Sequence, residues 1–254
     1  MALIPGAILY IIRNWRNSLM KYNRIILKLS GEALANPKGG ILDQQKLASV
    51  ARIVGNIHRS GVGVGIVVGA GNIWRGRLAE TIGIEQSTGD YMGMLGTVLN
   101  ALALQSAIEQ TGIVCKVQSS INVNQVCEPY IRRRAIHHIE KGEIVIFAGG
   151  TGNPYFTTDT TAALRALEVG AEAILMAKNG VDGVYDSDPR KNKDAKMFTR
   201  LSFREVIERK LGVMDLTAVA MLEGKGIRIH VFNMMNEESF MDLLNGKDVG
   251  TTIE

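Results

Sequence analysis

Cysteine is scarce in this sequence: Cys115 and Cys127 are the only two among 254 residues. Two thiols, with no second pair and no histidine cluster at metal-ligand spacing, exclude both a disulfide-stapled scaffold and a Cys/His zinc module. Aromatic residues amount to only 6% and are not interleaved with a basic stripe, which argues against a dedicated nucleic-acid binder. The apolar run from Ala2 to Ile12 is interrupted by Pro5 and Gly6. It falls short of the ~20 residues that a membrane-spanning helix needs. Nor does it read as a secretory signal, because Arg13, Arg16 and Lys21 follow the apolar stretch instead of preceding it. The expectation is a cytoplasmic protein with no membrane partner.

Acids are missing from residues 1–21, which carry three basic side chains. Removing those three from the 29 Lys and Arg leaves 26 against 25 acids, so most of the formal charge of +4 sits in the tail and the body is nearly neutral. Residues 1–19 also lack any strand-helix alternation, and Met20-Lys21-Tyr22 reads as the natural start of the domain. We therefore divide the chain into an N-terminal extension, 1–19, and a single domain, 20–254. The extension reads either as an upstream addition or as a docking helix, and Pro5 and Gly6 disfavour a long helix.

With 46% hydrophobic and 21% charged residues, the remainder can bury a full core. Short β-branched runs at 24–29, 62–68, 113–117, 144–148, 173–177 and 227–232 read as buried strands. Between them lie helical patterns. Leu47, Val50, Ala51, Val54 and Ile57 follow Asp43 as an N-cap and stop before Gly61. Others cover about 88–110, 131–140 and 160–169, the last ending before Gly170. Alternation of this kind implies an α/β protein with a mostly parallel central sheet flanked by helices, a three-layer sandwich. Such sheets bind ligands beyond the carboxyl ends of their strands.

The strand-end loops there share a phosphate-handling composition. The first strand ends in Lys28-Leu29-Ser30-Gly31-Glu32, an amine, a hydroxyl and a glycine at one tip. The second runs into Gly69-Ala70-Gly71-Asn72-Ile73-Trp74-Arg75-Gly76, where Arg75 offers a bidentate fork and Trp74 reads equally as core. The fourth leads to Gly149-Gly150-Thr151-Gly152-Asn153-Pro154-Tyr155-Phe156-Thr157-Thr158-Asp159, in which Thr158 or Asp159 is expected to cap the next helix. After the fifth comes Lys178-Asn179-Gly180-Val181-Asp182-Gly183-Val184-Tyr185-Asp186-Ser187-Asp188-Pro189, a pair of surface turns or a nucleoside contact. Neither a dinucleotide fingerprint nor a Walker A loop is present: Gly61-Val62-Gly63-Val64-Gly65 is misplaced, and Gly224-Lys225 and Gly246-Lys247 lack the flanking residues.

Over residues 22–254 the sequence resembles the amino-acid-kinase family. The resemblance rests on the segments just quoted together with Thr88-Gly89-Asp90-Tyr91-Met92-Gly93-Met94, Val213-Met214-Asp215-Leu216 and Val231-Phe232-Asn233-Met234. The Asp90 segment is similar to that of the uridylate branch. The resemblance implies the amino-acid-kinase fold and transfer of the γ-phosphate of Mg-ATP to UMP, giving UDP for pyrimidine biosynthesis. It implies ATP contacts at Lys28, Leu29, Ser30, Gly31, Gly71, Arg75, Asn179, Tyr185 and Asp188, and UMP contacts at Ala70, Asp90, Thr151, Gly152, Asn153, Pro154, Tyr155, Phe156, Thr157 and Thr158. Lys28, Arg75 and Asp159 are the expected catalytic set, with Asp159 orienting Lys28 or magnesium-bound water. Ala70 departs from the commonest glycine-rich form, and its methyl crowds one backbone contact. A homohexamer responsive to GTP and UTP is also implied. The basic cluster Arg132, Arg133, Arg134, His137 and His138 reads as an effector site or as a solvated face.

Overall fold

The computed structural model describes residues 20–36 and 39–254, so the N-terminal extension lies outside the described residues. The chain opens with β1 (Arg24–Leu29) and continues through α1 (Gln44–Arg59), β2 (Gly63–Val68), α2 (Gly76–Thr81) and α3 (Gln86–Glu109). There follow β3 (Cys115–Ser119), β4 (Glu128–Pro129), α4 (Arg132–Glu140), β5 (Ile144–Ala148), α5 (Thr158–Val169) and β6 (Ala173–Lys178). The last third holds β7 (Val184–Tyr185), β8 (Met197–Phe198), β9 (Arg200–Leu201), α6 (Phe203–Glu208), α7 (Leu216–Leu222), β10 (Arg228–Asn233), α8 (Glu238–Leu244) and β11 (Thr251–Ile253).

Nine of these strands form one sheet in the order β4-β3-β5-β2-β1-β6-β10-β11-β9. Every pairing in it is parallel except β10 with β11, as the helical crossovers require. β7 and β8 pair separately as a small antiparallel hairpin.

Strand alternation divides the core in two. Ile25, Leu27 and Leu29 of β1 pack with α1, α3 and α8 on one face. Ile26 packs with Met176 and with Ala162, Ala163 and Ala166 of α5 on the other. The result is the three-layer arrangement anticipated from the alternation. The glycines at 63 and 65 serve packing: a Cβ on Gly65 would stand 2.6 Å from Ile26 Cδ1 and 2.8 Å from the Phe147 ring.

Helix ends follow the expected chemistry. Asp43 caps α1 by accepting from Lys46 N at 3.0 Å, and Gly170 closes α5 in the left-handed region with φ 67°. The third strand runs Cys115–Ser119 instead of 113–117, the stretch that pairs in register with Ile144–Ala148 of β5. Helix α3 is long and apolar enough to cross a membrane by composition, with a mean hydropathy of 1.2. Its Val98, Ala101, Leu104 and Ile108 instead lie in the core beside a fully buried Asn100.

Candidate active site

The carboxyl ends of β1, β2, β5 and β6 lie side by side at one edge of the sheet, and the loops leaving them build the site. Lys28 emerges from β1 on the face covered by α5. Its Nζ stands 2.5 Å from Asp159 Oδ1 in the first turn of that helix, and the two side chains are only 13% and 17% exposed. The pairing fixes an ammonium at the strand tip.

Beyond Lys28 the chain turns at once. Ser30 caps a 3-10 turn over Gly31–Leu34, its Oγ accepting from Glu32 N at 3.3 Å. Gly31 lies beneath Asn72 and the Gly69 carbonyl, where a Cβ would come within 2.6 Å of that oxygen. The first two loops touch only because residue 31 has no side chain.

Asn100 holds the second loop from behind, donating to the Gly69 carbonyl and to Asn72 Oδ1, both at 2.8 Å. It also accepts from Asn72 Nδ2 at 3.1 Å. Arg75 donates through Nε to the Gly71 carbonyl at 3.2 Å, and its guanidinium pairs with Glu32. A half-exposed arginine thus bridges the first two loops. The methyl of Ala70 rests against Gly96 of α3, where an added Cβ would come within 2.9 Å of it. A glycine on the helix accommodates the side chain that the loop has gained.

In the third loop Gly149 and Gly150 take φ 73° and 58°, and Gly149 N donates to the buried Thr97 hydroxyl at 2.8 Å. The cap of α5 is Thr157, which corrects the expectation of Thr158 or Asp159. Thr157 is the extended residue, and its Oγ1 accepts from Asp159 N at 3.0 Å and Thr160 N at 3.3 Å. Thr158 and Asp159 already belong to the helix, and this leaves the Asp159 carboxylate to face Lys28. Asp90 Oδ2 accepts from Tyr155 N at 2.8 Å, anchoring a residue held at φ 70°. Beside these lies a cavity of about 170 Å³ whose walls include Ala70, Trp74, Asp90, Phe156, Thr157 and Thr158. Thr151, Gly152, Asn153, Pro154 and Tyr155 form the turn that leads into it. Trp74 is therefore a wall of this cavity, with its buried Nε1 unpaired among the described residues.

The fourth loop supplies a larger cavity, about 470 Å³, lined by Lys178, Val184, Tyr185, Asp188 and Val213 among others. Asn179 is not brought to it. That residue opens onto a separate cavity of about 320 Å³ beside α1, together with Glu32, Lys46 and Met235. The basic helix is not brought to the site either. Arg132, Arg133 and His137 are exposed on α4, next to the edge strand β4, and Arg132 Nε donates to the Glu168 carbonyl at 2.5 Å. His138 lies between Glu143 and Glu128, at 2.5 and 3.2 Å.

Four residues that shape these loops have no individual role assigned from the sequence: Glu32, Asn100, Lys178 and Asp215. Asp215 caps α7 through Ala218 N at 2.8 Å and accepts from Thr160 Oγ1 at 2.9 Å and from the Thr157 hydroxyl, clamping that loop to the start of α5. Nothing in the sequence distinguishes Asn100 from an exposed helical asparagine. Lys178, however, stands at a strand end just as Lys28 does, and the argument that marks Lys28 applies to it equally.

Comparison with known proteins places this geometry in context. The model of the amino acid kinase family matches residues 23–233. The chain is 53% identical over 235 residues to the uridylate kinase of Limosilactobacillus reuteri, covering 92% of this chain and 98% of that protein. It is 50% identical over 236 residues to the uridylate kinase of Pediococcus pentosaceus, covering 93% and 98%. Among solved structures, UMP kinase from Bacillus anthracis superposes with a TM-score of 0.89 at 42% identity, covering 92% of this chain and 96% of that one. UMP kinase from Ureaplasma parvum gives 0.87 at 37% identity, with 92% and 100% covered.

Proposed function

The chain belongs to the amino acid kinase family, and from that membership we propose that it transfers the γ-phosphate of ATP to UMP, giving ADP and UDP. One observation carries the reading: the largely buried Lys28–Asp159 pair is flanked by the linings of two cavities, since Lys178, at the tip of the strand beside β1, lines one with Tyr185 and Asp188, and Thr158, next to Asp159, walls the other with Asp90. The first would receive the nucleoside of ATP, and Lys28, Leu29, Ser30, Gly31, Gly71 and Arg75 its phosphates. Asn179 would reach the nucleotide from the opposite side of the strand end. The second would receive UMP, with Ala70, Asp90 and the run from Thr151 to Thr158.

The acceptor phosphate of UMP has a second ionisation near ~6 and is already an anionic nucleophile at neutral pH. One of its oxygens bonds to the γ-phosphorus as the bond from that phosphorus to the β,γ-bridging oxygen breaks, and the electron pair leaves on ADP. No proton need be abstracted. What opposes the reaction is repulsion between two polyanions, and the chain counters it with Lys28, Arg75 and the free N–H groups at the start of α5. In this reading Asp159 orients Lys28 and abstracts no proton.

Among the described residues no group of three or more His, Cys, Asp or Glu is placed to hold a metal ion. Magnesium would be carried mainly by the nucleotide phosphates, with Asp159 orienting Lys28 or a water on the ion. Magnesium bound in this way supplies charge neutralisation on the transferring phosphoryl group.

We place the protein in the cytoplasm as a homo-oligomer, a hexamer by family likeness. Support for self-association comes from Tyr91, Leu95 and Leu99, which expose one apolar face of α3 at 46%, 52% and 44%. GTP and UTP are the proposed effectors, with Arg132, Arg133 and His137 as their contacts.

The deciding experiment incubates the protein with Mg-ATP and a panel of nucleoside monophosphates, carboxylates, carbamate and isoprenoid phosphate. UDP should be the dominant product. Fixed amides and hydroxyls can reject a mismatched base edge by up to ~10⁴-fold, so comparable turnover of CMP and UMP would sink the reading.

A further inference from the structure

Lys28 and Met176 are register partners in parallel neighbouring strands, so they share a face of the sheet. Lys178 lies two residues beyond Met176 and returns to that same face, the one capped by Asp159 and α5. Two lysines from adjacent strand tips therefore share one face, Lys28 paired with Asp159 and Lys178 close enough to feel the charge of both. Lys178 also lines the cavity assigned above to the ATP nucleoside, which places it between that cavity and the Lys28–Asp159 pair.

Its surroundings serve it poorly as a purely structural residue. Nζ donates to the Val213 carbonyl at 2.7 Å, a neutral acceptor that takes one of three N–H donors. Burial pushes its pKa below the ordinary lysine range, the positive charge of Lys28 pushes it further, and Asp159 only partly opposes them. A half-buried ammonium beside a like charge is costly unless an anion arrives to share it.

We propose that Lys178 is a further catalytic residue: its ammonium contacts the ATP phosphates on the leaving side, opposite the oxygen that attacks. As the bridging bond breaks, negative charge gathers on the β-phosphate of ADP, and Lys178 is the cation between that phosphate and the nucleoside cavity. Lys28 and Arg75 then serve the transferring group. This assignment rests on the ATP and UMP reading given above.

The test compares wild type with Lys178→Gln and Lys178→Arg in steady-state assays with Mg-ATP and UMP, alongside thermal unfolding of each. The Gln variant should lose roughly 10²–10³ in kcat, the usual loss for one transition-state donor. Its KM for ATP should rise while that for UMP stays within about twofold, and the Arg variant, which keeps the charge, should recover part of the loss. If the Gln variant does not fold, Lys178→Met carries the same expectation, since it keeps the aliphatic stem and removes only the charge. A folded, neutral variant with near-normal kcat overturns the inference, as does an equal rise in both KM values with kcat unchanged. Wild-type protein that forms no UDP refutes the underlying reading instead, so the two failures are distinguishable.

Discussion

His230 provides a quantitative handle on the fold through pH. It sits on β10, 1% exposed, with Nε2 2.7 Å from the Tyr22 hydroxyl and Nδ1 3.0 Å from the Thr252 hydroxyl. A neutral ring satisfies both, one nitrogen donating and the other accepting. Burial, reinforced by the positive charges of Lys21 and Arg228, lowers its pKa from 6.5 to about 3. Between those values the unfolded chain binds the proton and the folded one does not. The contribution is therefore fully present above pH 6.5 and is lost as pH falls towards 3. At pH 5 the unfolded ring is about 1.5 units below its pKa, and at ~1.4 kcal/mol per unit the folded state loses about 2 kcal/mol relative to neutral pH. Urea unfolding at pH 7 and pH 5, at fixed protein concentration, compares wild type with His230→Gln, whose amide hydrogen-bonds but does not titrate. The variant should be less stable at pH 7 yet lose about 2 kcal/mol less between the two conditions. Carboxylates such as Glu254 affect both proteins alike. Equal losses in the two proteins would refute the assignment of this proton to His230.

Lys28→Ala should lower kcat by roughly 10²–10³ while UMP affinity changes far less, and a near-normal turnover number would contradict the proposed charge stabilisation. Asp159→Asn should impair turnover without rescue by small external bases, because an orienting carboxylate is not a proton acceptor; recovery with added formate or imidazole argues for a general base. Gly31→Ala forces a Cβ to within 2.6 Å of the Gly69 carbonyl and against Asn72. The expected result is a loss of about 1–3 kcal/mol in unfolding free energy, with reduced kcat as the first two loops separate. A variant matching wild type in both would show that their contact is dispensable.

Much of the architecture was legible because it rests on local pattern. Burial on both faces makes parallel strands into continuous apolar runs, so β1, β2, β5, β6 and β10 could be read within a residue or two. Asp43 and Gly170 marked helix ends through chemistry confined to one turn. The short strands β7, β8, β9 and β11 escaped because two or three residues carry no period, and only pairing partners far along the chain define them. The site divides the same way. That Lys28, Arg75 and Asp159 lie in or beside glycine-rich loops at strand ends could be read locally, since the strands and the glycines are both local pattern. Which residues those charges face was not written locally. Thr157, not Thr158, is the cap, and Asp215, 58 residues away, binds its hydroxyl while Asp159, inside the helix, faces Lys28. Asn179 lies apart from Tyr185 and Asp188 because the strand end points it to the α1 side. The sequence alone determined the alternation of elements and the chemistry of the loops. Only the tertiary structure decided the partners of Asn100, Lys178 and His230, because the energy of a buried polar group depends on what the folded chain brings within about 3 Å of it.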